Sequence, residues 1–348
     1  MYLCYHLANH GPAKLEMHDL NRKVKILGTG KFLPEHRVCS TELDAHFNKP
    51  QGWTKARKGL NNKYVTRMSV LPSQMCAEAA KQALQAAQIE VDELDCIVSA
   101  CGVMEQLIPC TAALVQKSLG LADSGIAAFD INSTCLSFVT ALDVMAYPIA
   151  MGRYRRVLIV AADVGSTGLD PNDIETYPIF GDGAAAAIIT PSDGQSAVLA
   201  ARMLTYAQGS EFSQIKVGAG FPPVFYPERP LKETYFTMQG KALYRLVKQH
   251  MTCLVTELLA EARLTLQDIK LVIPHQASYL AMRGIREHLN LPAEKIMDIY
   301  AEHGNQIAAS IPTALHEAIV QNKIARGDNV LLLGTSAGVS LGGLILRY

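Results

Sequence analysis

The sequence has no Cys-x-x-Cys pair, no dense block of lysine and arginine, no apolar run that spans a bilayer, and a single tryptophan. Its eight cysteines, at positions 4, 39, 76, 96, 101, 110, 135 and 253, form neither a disulfide framework nor a Cys/His cluster at zinc spacing. A reducing compartment and no bound metal are the expectations. Lysine plus arginine balance aspartate plus glutamate at a formal net charge of zero, so there is no concentrated positive face for nucleic acid. A membrane helix needs ~20 consecutive apolar residues, and the opening segment lacks the apolar core of a signal peptide. A cytosolic protein acting on small molecules is expected, with neither nucleic acid nor membrane as partner.

What is present is a chain of 348 residues, 49% hydrophobic, long enough for two packed halves. An internal echo divides it. Buried-strand patterns occur at residues 94–100, 156–163 and 181–190, and again at 269–275, 329–336 and 341–348. Continuous apolar runs separated by helical patterns, such as residues 73–88, predict parallel strands buried on both faces and an α/β class. The expected division is an N-terminal extension over residues 1–22, with Met17 as a functional start, a first half over 23–195 carrying a nucleophile, and a second half over 196–348.

Cys135 stands where a strand-like FDI gives way to a helix whose apolar face is Phe138, Ala141, Leu142 and Met145. A cysteine at a helix N-terminus is expected to have its thiolate stabilised by the helix dipole; the alternative is a small buried core residue. His275 directly follows the apolar strand VIP, at the carboxyl end of a strand, where open α/β sheets place ligands. Asn305 follows glycine ahead of another helix and reads either as an N-cap or as a site residue. Cys135 lies 22 residues before Val157 and Asn305 lies 25 before Val330, which predicts equivalent places in the two halves. His303 is a rival to His275 without its strand-end placement.

The segments ILGTGKFLPEHRV, the Cys135 region, FGDGAAAAI, IPHQAS, GNQIAASIP and the closing glycine-rich strand occur in an order that resembles the β-ketoacyl-acyl-carrier-protein synthase III family. The resemblance covers residues 24–348. It implies a thiolase fold of two βαβαβαββ halves in five αβαβα layers, a homodimer, and Cys135, His275 and Asn305 as the catalytic trio. The implied reaction is decarboxylative Claisen condensation of a Cys-bound acyl group with malonyl-ACP or malonyl-CoA. No cofactor is held permanently; acyl-CoA and acyl-carrier-protein thioesters are substrates. An oxyanion hole falls to the N–H groups of Cys135 and of Ala337 or Gly338.

By the same resemblance, Trp53 and Arg57 sandwich the adenine of coenzyme A, the alternative for Trp53 being a core anchor. Ile108 stands at the gate of the acyl pocket, contributed across the dimer, where an aliphatic side chain suits a medium-length chain. Arg245, Arg283 and Arg286 are candidates for docking the acidic carrier protein, or solvated helix charges. Departures concern the coenzyme A arm: Ser278 and Leu280 replace asparagine and arginine, and Thr167 stands where an arginine is typical. Glu105 is a candidate base for a non-decarboxylative condensation. Acyl transfer to oxygen or nitrogen, joining of two acyl-CoA molecules, and a non-catalytic partner subunit are the competing functions.

Overall fold

The computed structural model describes residues 21–67, 69–217 and 230–348. In the first half, uninterrupted aliphatic runs become buried strands and alanine-rich stretches become the helices that cover them. β1 (Val24–Phe32) is followed by a hairpin of β2 (His36–Cys39) and β3 (Asn62–Val65), with α1 (Ser40–His46) and α2 (Trp53–Lys58) between its strands. Then come α3 (Pro72–Ala87), β4 (Cys96–Ser99), α4 (Thr111–Ser118), β5 (Ala127–Asp130) and α5 (Ser137–Ala150). β6 (Val157–Val164) and β7 (Asp182–Pro191) complete a five-stranded sheet of order β1-β7-β6-β4-β5.

The second half opens with β8 (Ala197–Thr205), a two-stranded ribbon of β9 (Ser213–Gln214) and β10 (Thr237–Met238), and the long α6 (Gly240–Ala262). β11 (Ile269–Pro274), α7 (Tyr279–His288), α8 (Tyr300–His303) and α9 (Ser310–Val320) lead to β12 (Asn329–Ser336) and β13 (Ser340–Arg347). Its sheet runs β11-β12-β13-β8, the order of the first sheet without a counterpart of β5. A single parallel bridge between Val272 and Ile296 stands beside β11 where that fifth strand would lie.

Packing puts α3 and α4 on one face of the first sheet, α5 and α9 between the sheets, and α6 against the second. This is the thiolase arrangement of five αβαβα layers. The central layer is the most apolar: Phe138, Leu142, Met145 and Ile149 of α5 and Ile311 and Leu315 of α9 join strand residues of both sheets in one core. At ~1.5–3 kcal/mol for each large aliphatic side chain taken out of water, these contacts supply much of what holds the halves together.

Two expectations change. β4, β5 and β6 are parallel neighbours, as are β11 and β12, but β7 and β13 run antiparallel to theirs. At β13 the reason is the three-residue turn from Ser336 to Ser340, which permits only a hairpin return. Residues 1–20, Met17 among them, lie outside the described residues, but Arg22 is no part of an extension. It is buried, its guanidinium 3.0 Å from the Asp143 carboxylate and 3.0 Å from the Tyr147 hydroxyl, and its backbone bridges to Val198 of the second half. Among the described residues no helix is long and apolar enough to cross a membrane.

Candidate active site

Both halves build the same turn between strand and helix. Asn132 Oδ1 accepts the Thr134 N–H at 2.8 Å, and Asn305 Oδ1 accepts the Ile307 N–H at 2.9 Å. Each asparagine introduces a short 3₁₀ turn, Thr134–Leu136 and Ile307–Ala309, that begins on a β-branched residue at positive φ, 53° for Thr134 and 51° for Ile307. A β-branched side chain at such a backbone angle costs ~1–3 kcal/mol. The asparagine and a serine hold it: Ser137 Oγ donates to the Thr134 carbonyl at 2.6 Å and Ser310 Oγ to the Ile307 carbonyl at 3.0 Å. α5 and α9 start on those serines. The structural equivalent of Asn305 is therefore Asn132, and that of Cys135 is Ala308, which corrects the expected pairing of Cys135 with Asn305 by three residues.

The two turns meet at Gly102, in the loop after β4. A methyl group there would lie 2.6 Å from Ile307 Cγ2 and 3.3 Å from the Thr134 backbone, so only glycine lets the two elbows close on each other. Below them Asp163, at the end of β6, is fully buried and accepts backbone N–H groups from Gly102 (2.9 Å), Val103 (2.8 Å) and Ala308 (2.9 Å). Burial raises its pKa to about 6, and those amides pull the other way.

Cys135 sits inside the first 3₁₀ turn, half-buried, one turn ahead of α5. Burial pushes its thiol up to about 12 and the Asp163 charge adds to this, while hydrogen bonds from the backbone of Cys135 and of Ala337 pull it down. The expected lowering at a helix N-terminus is thus outweighed, because desolvation penalises the thiolate more than two amides favour it. The Ala337 backbone reaches this sulfur from the β12–β13 turn, placing both candidate oxyanion donors at one atom. Gly338 is the next residue in that turn, at φ 138°.

His275 follows β11 with its N–H on the Leu333 carbonyl at 2.8 Å, continuing the pairing with β12. It is 3% exposed, and burial lowers its pKa to about 4, so the resting imidazole is neutral. Its Cβ and the Leu136 side chain both lie against Gly334, where a methyl group would be 2.9 and 3.1 Å from them. Nδ1 is 2.6 Å from Ser310 Oγ. Asn305 Nδ2 donates to the Ala277 carbonyl at 3.2 Å and keeps a second N–H. The Asn305 backbone is tied to the first half, its N–H to the Ile179 carbonyl at 2.8 Å and its carbonyl to the Gly181 N–H at 3.0 Å. His303 instead lies in α8, its Nδ1 3.1 Å from the Ile299 carbonyl and its ring facing Tyr64.

The other expected residues fall at the mouth or away from it. Trp53, Arg57 and Leu280 line one pocket of 370 Å³ together with Lys58, Glu175 and Tyr279. The cations over the Trp53 ring are Lys49 and Lys58, 5.7 and 5.9 Å from its centroid, and Lys58 is paired with Glu175 at 2.7 Å. Ser278 caps α7, its Oγ accepting the Ala281 N–H at 3.2 Å, and Thr167 Oγ1 donates to the Val164 carbonyl at 3.1 Å. Glu105 accepts the Ser73 N–H at 2.7 Å in the first turn of α3. Ile108 is 85% exposed in the single chain. Arg245, Arg283 and Arg286 are exposed on α6 and α7, which touch at Tyr244 and Gly284; Arg283 also pairs with Glu287 at 3.2 Å.

Comparison with known proteins settles the family. Residues 129–207 match the model described as 3-oxoacyl-[acyl-carrier-protein (ACP)] synthase III, and residues 259–348 match its C-terminal model. The β-ketoacyl-[acyl-carrier-protein] synthase III of Aquifex aeolicus is 34% identical over 325 residues, 93% of this chain and 99% of that protein. The chain belongs to the β-ketoacyl-acyl-carrier-protein synthase III family. The corresponding protein of Syntrophomonas wolfei is 31% identical over 94% of this chain and 98% of its own length. The Aquifex aeolicus crystal structure superposes with a TM-score of 0.84, covering 93% of this chain and all of that one. As a member of the synthase III family, the chain is an acyltransferase of the decarboxylating condensing type.

Sequence reasoning passed over three residues that hold the two elbows together. Asp163 ends an otherwise apolar strand, and a lone buried carboxylate there was itself the signal. Asn132 and Ser310 were legible from the repeat: Asn-x-x-x-x-Ser occurs at 132–137 and again at 305–310.

Proposed function

We propose that Cys135 takes an acyl group from a thioester donor and that the acyl enzyme condenses with a malonyl thioester held beside His275 and Asn305. The observation that carries this reading is the meeting of the two duplicated elbows at Gly102, which brings the Cys135 turn of one half against the Asn305 turn of the other. Covalent capture divides one difficult condensation into two steps. The N–H groups of Cys135 and Ala337 face the tetrahedral oxyanion at the sulfur, while Asn305 Nδ2 and the His275 ring face the enolate oxygen that forms as carbon dioxide leaves.

Acyl-CoA is the donor we favour, entering past Trp53 and Arg57, with malonyl-ACP as extender and the arginines of α6 and α7 receiving the carrier protein. No resident cofactor enters this chemistry. A homodimer is supported by Met104, Leu107 and Ile108, which expose 47, 66 and 85% of their surface on one loop beside the site; Ile108 of each protomer would gate its partner's acyl pocket and admit a medium-length chain. The seven described cysteines are free thiols, in keeping with a cytosolic enzyme. Glu105 is engaged with α3, which argues against a non-decarboxylative base.

The test loads wild type and Cys135→Ala with acyl-CoA donors of roughly two to twelve carbons and reads intact mass, then follows carbon dioxide release from malonyl thioester. An acyl adduct on wild type alone, followed by malonyl-dependent release, is the expected result. Wild type that loads but releases no carbon dioxide would move the reading to acyl transfer onto oxygen or nitrogen.

A further inference from the structure

The N–H that Ala337 offers to the Cys135 sulfur is carried by a turn of three residues, Ala337, Gly338 and Val339, between Ser336 and Ser340, the last paired residues of β12 and β13. Leu136, the neighbour of Cys135, packs on both of those strands: a methyl group on Gly334 of β12 or on Gly342 of β13 would come within 3.1 Å of its side chain. The strands are thus fixed against the Cys135 turn, and the position of the donor depends on how the tip between them is held.

Tyr206 holds that tip. β13 pairs with β8 as far as Ser340 and Thr205, whose hydroxyls lie 2.8 Å apart. Tyr206 carries the pairing one residue past the strand and into the turn: its N–H donates to the Val339 carbonyl at 2.8 Å, and its carbonyl accepts the Val339 N–H at 3.2 Å. The same carbonyl accepts the Gly209 N–H at 3.0 Å, which closes the 3₁₀ turn Ala207–Gly209 over the fully buried Val339; a methyl group on Gly209 would lie 2.7 Å from Val339 Cγ2. The side chain of Tyr206 is anchored in turn by α6. Its ring stacks on that of His250, with centroids 4.0 Å apart and planes 18° from parallel. The hydroxyl is buried and finds no hydrogen-bond partner among the described residues, so the ring and not the oxygen makes the anchor.

We propose that Tyr206 is a positioning residue for the thioester step: its ring, seated on His250, fixes the backbone pair with Val339 and through it the Ala337 N–H at Cys135. This rests on the reading that Cys135 is the acylated nucleophile.

As the sulfur attacks the donor's carbonyl carbon, an S–C bond forms and the carbonyl oxygen takes the negative charge. The oxyanion collapses as the donor's own C–S bond breaks, and the thiol proton of Cys135 ends on the departing sulfur. The Ala337 N–H matters most while that charge exists, so a displaced turn slows the step without weakening the binding of the donor. The enolate site is hung differently. His275 follows β11 and Asn305 stands in the second elbow, and among the described residues neither makes a hydrogen bond to Tyr206 or to the tip of the hairpin. Tyr206 therefore serves one of the two charge-holding sites and not the other.

The test is single-turnover loading of Cys135 from acetyl-CoA and octanoyl-CoA, read by intact mass, beside carbon dioxide release from malonyl-CoA once loading has been carried to completion. In Tyr206→Ala loading is expected to slow ~tenfold or more at an unchanged half-saturating donor concentration, while carbon dioxide release holds. Tyr206→Phe should restore loading, and His250→Ala should slow it without adding to the loss in Tyr206→Ala when the two are combined. Loading at the wild-type rate in Tyr206→Ala, failure of Tyr206→Phe to restore it, or an equal fall in loading and carbon dioxide release overturns the proposal. Hydrogen exchange of the peptide covering residues 336–341 keeps the two readings apart, since it should quicken in Tyr206→Ala whatever Cys135 does. If wild type loads neither donor, the reading of Cys135 is what fails; exchange in Tyr206→Ala as slow as in wild type overturns the role of Tyr206.

Discussion

Asp163 of the first half holds Ala308 of the second: its Oδ2 accepts the Ala308 N–H at 2.9 Å, while Oδ1 gathers Gly102 and Val103. A carboxylate offers acceptors on both oxygens; an amide of the same shape turns a donor toward one of these N–H groups. Asp163→Asn is therefore expected to lose about 3 kcal/mol of stability, measured by urea unfolding. It should also slow the chemistry, since the clamp sets the spacing of the elbows. A variant as stable as wild type would contradict the clamp.

Cys135 should behave as a protected thiol in the free enzyme. With its thiol pushed up to about 12, the thiolate is scarce at neutral pH. Alkylation by iodoacetamide, followed by mass spectrometry at Cys135, is expected to keep accelerating beyond pH 9. A plateau near neutrality would show instead that the turn amides and helix dipole dominate over burial.

Buried His275 makes the fold sensitive to acid. Its folded pKa of about 4 lies below the ordinary value of 6.5, so the unfolded chain binds the proton first. Stability is complete above pH 6.5 and falls as pH drops toward 4, by about 3 kcal/mol from this group. His303 and His316 shift in the same direction, so the comparison has to be differential: the stability gap between wild type and His275→Gln should narrow across that interval. A gap independent of pH would contradict the burial of a neutral ring.

Gly334 has no room for a side chain between His275 and Leu136. Gly334→Ala is expected to reduce kcat about 100-fold, because displacing a reacting group by about 1 Å costs that much, with a modest loss of thermal stability. Unchanged kcat would mean that the ring and the Cys135 turn adjust independently.

Much of this was legible in the sequence. The six buried strands announced themselves as aliphatic runs, and the order of Cys135, His275 and Asn305 identified the family. The duplication was visible too, but its register was misjudged by counting from Cys135. Asn132 lies 25 residues before Val157, as Asn305 does before Val330, so the repeat pairs the asparagines and leaves the nucleophile opposite an alanine. The direction of β7 could not be read, since a strand buried on both faces looks alike whichever way it runs, whereas that of β13 follows from the short turn that precedes it. Nor could the state of Cys135, because its helix position was visible from sequence while its desolvation and the nearby Asp163 were not.

The backbone of Asn305 is stitched between Ile179 and Gly181, so a residue of the second half serves as an extra rung on the first. The halves thus carry the mark of a gene duplication whose products can no longer be separated. A fragment ending near residue 195 would have to leave those two peptide groups unpaired, and one beginning there would keep the Asn305 side-chain bonds to Ala277 and Ile307 but lose both partners of its backbone.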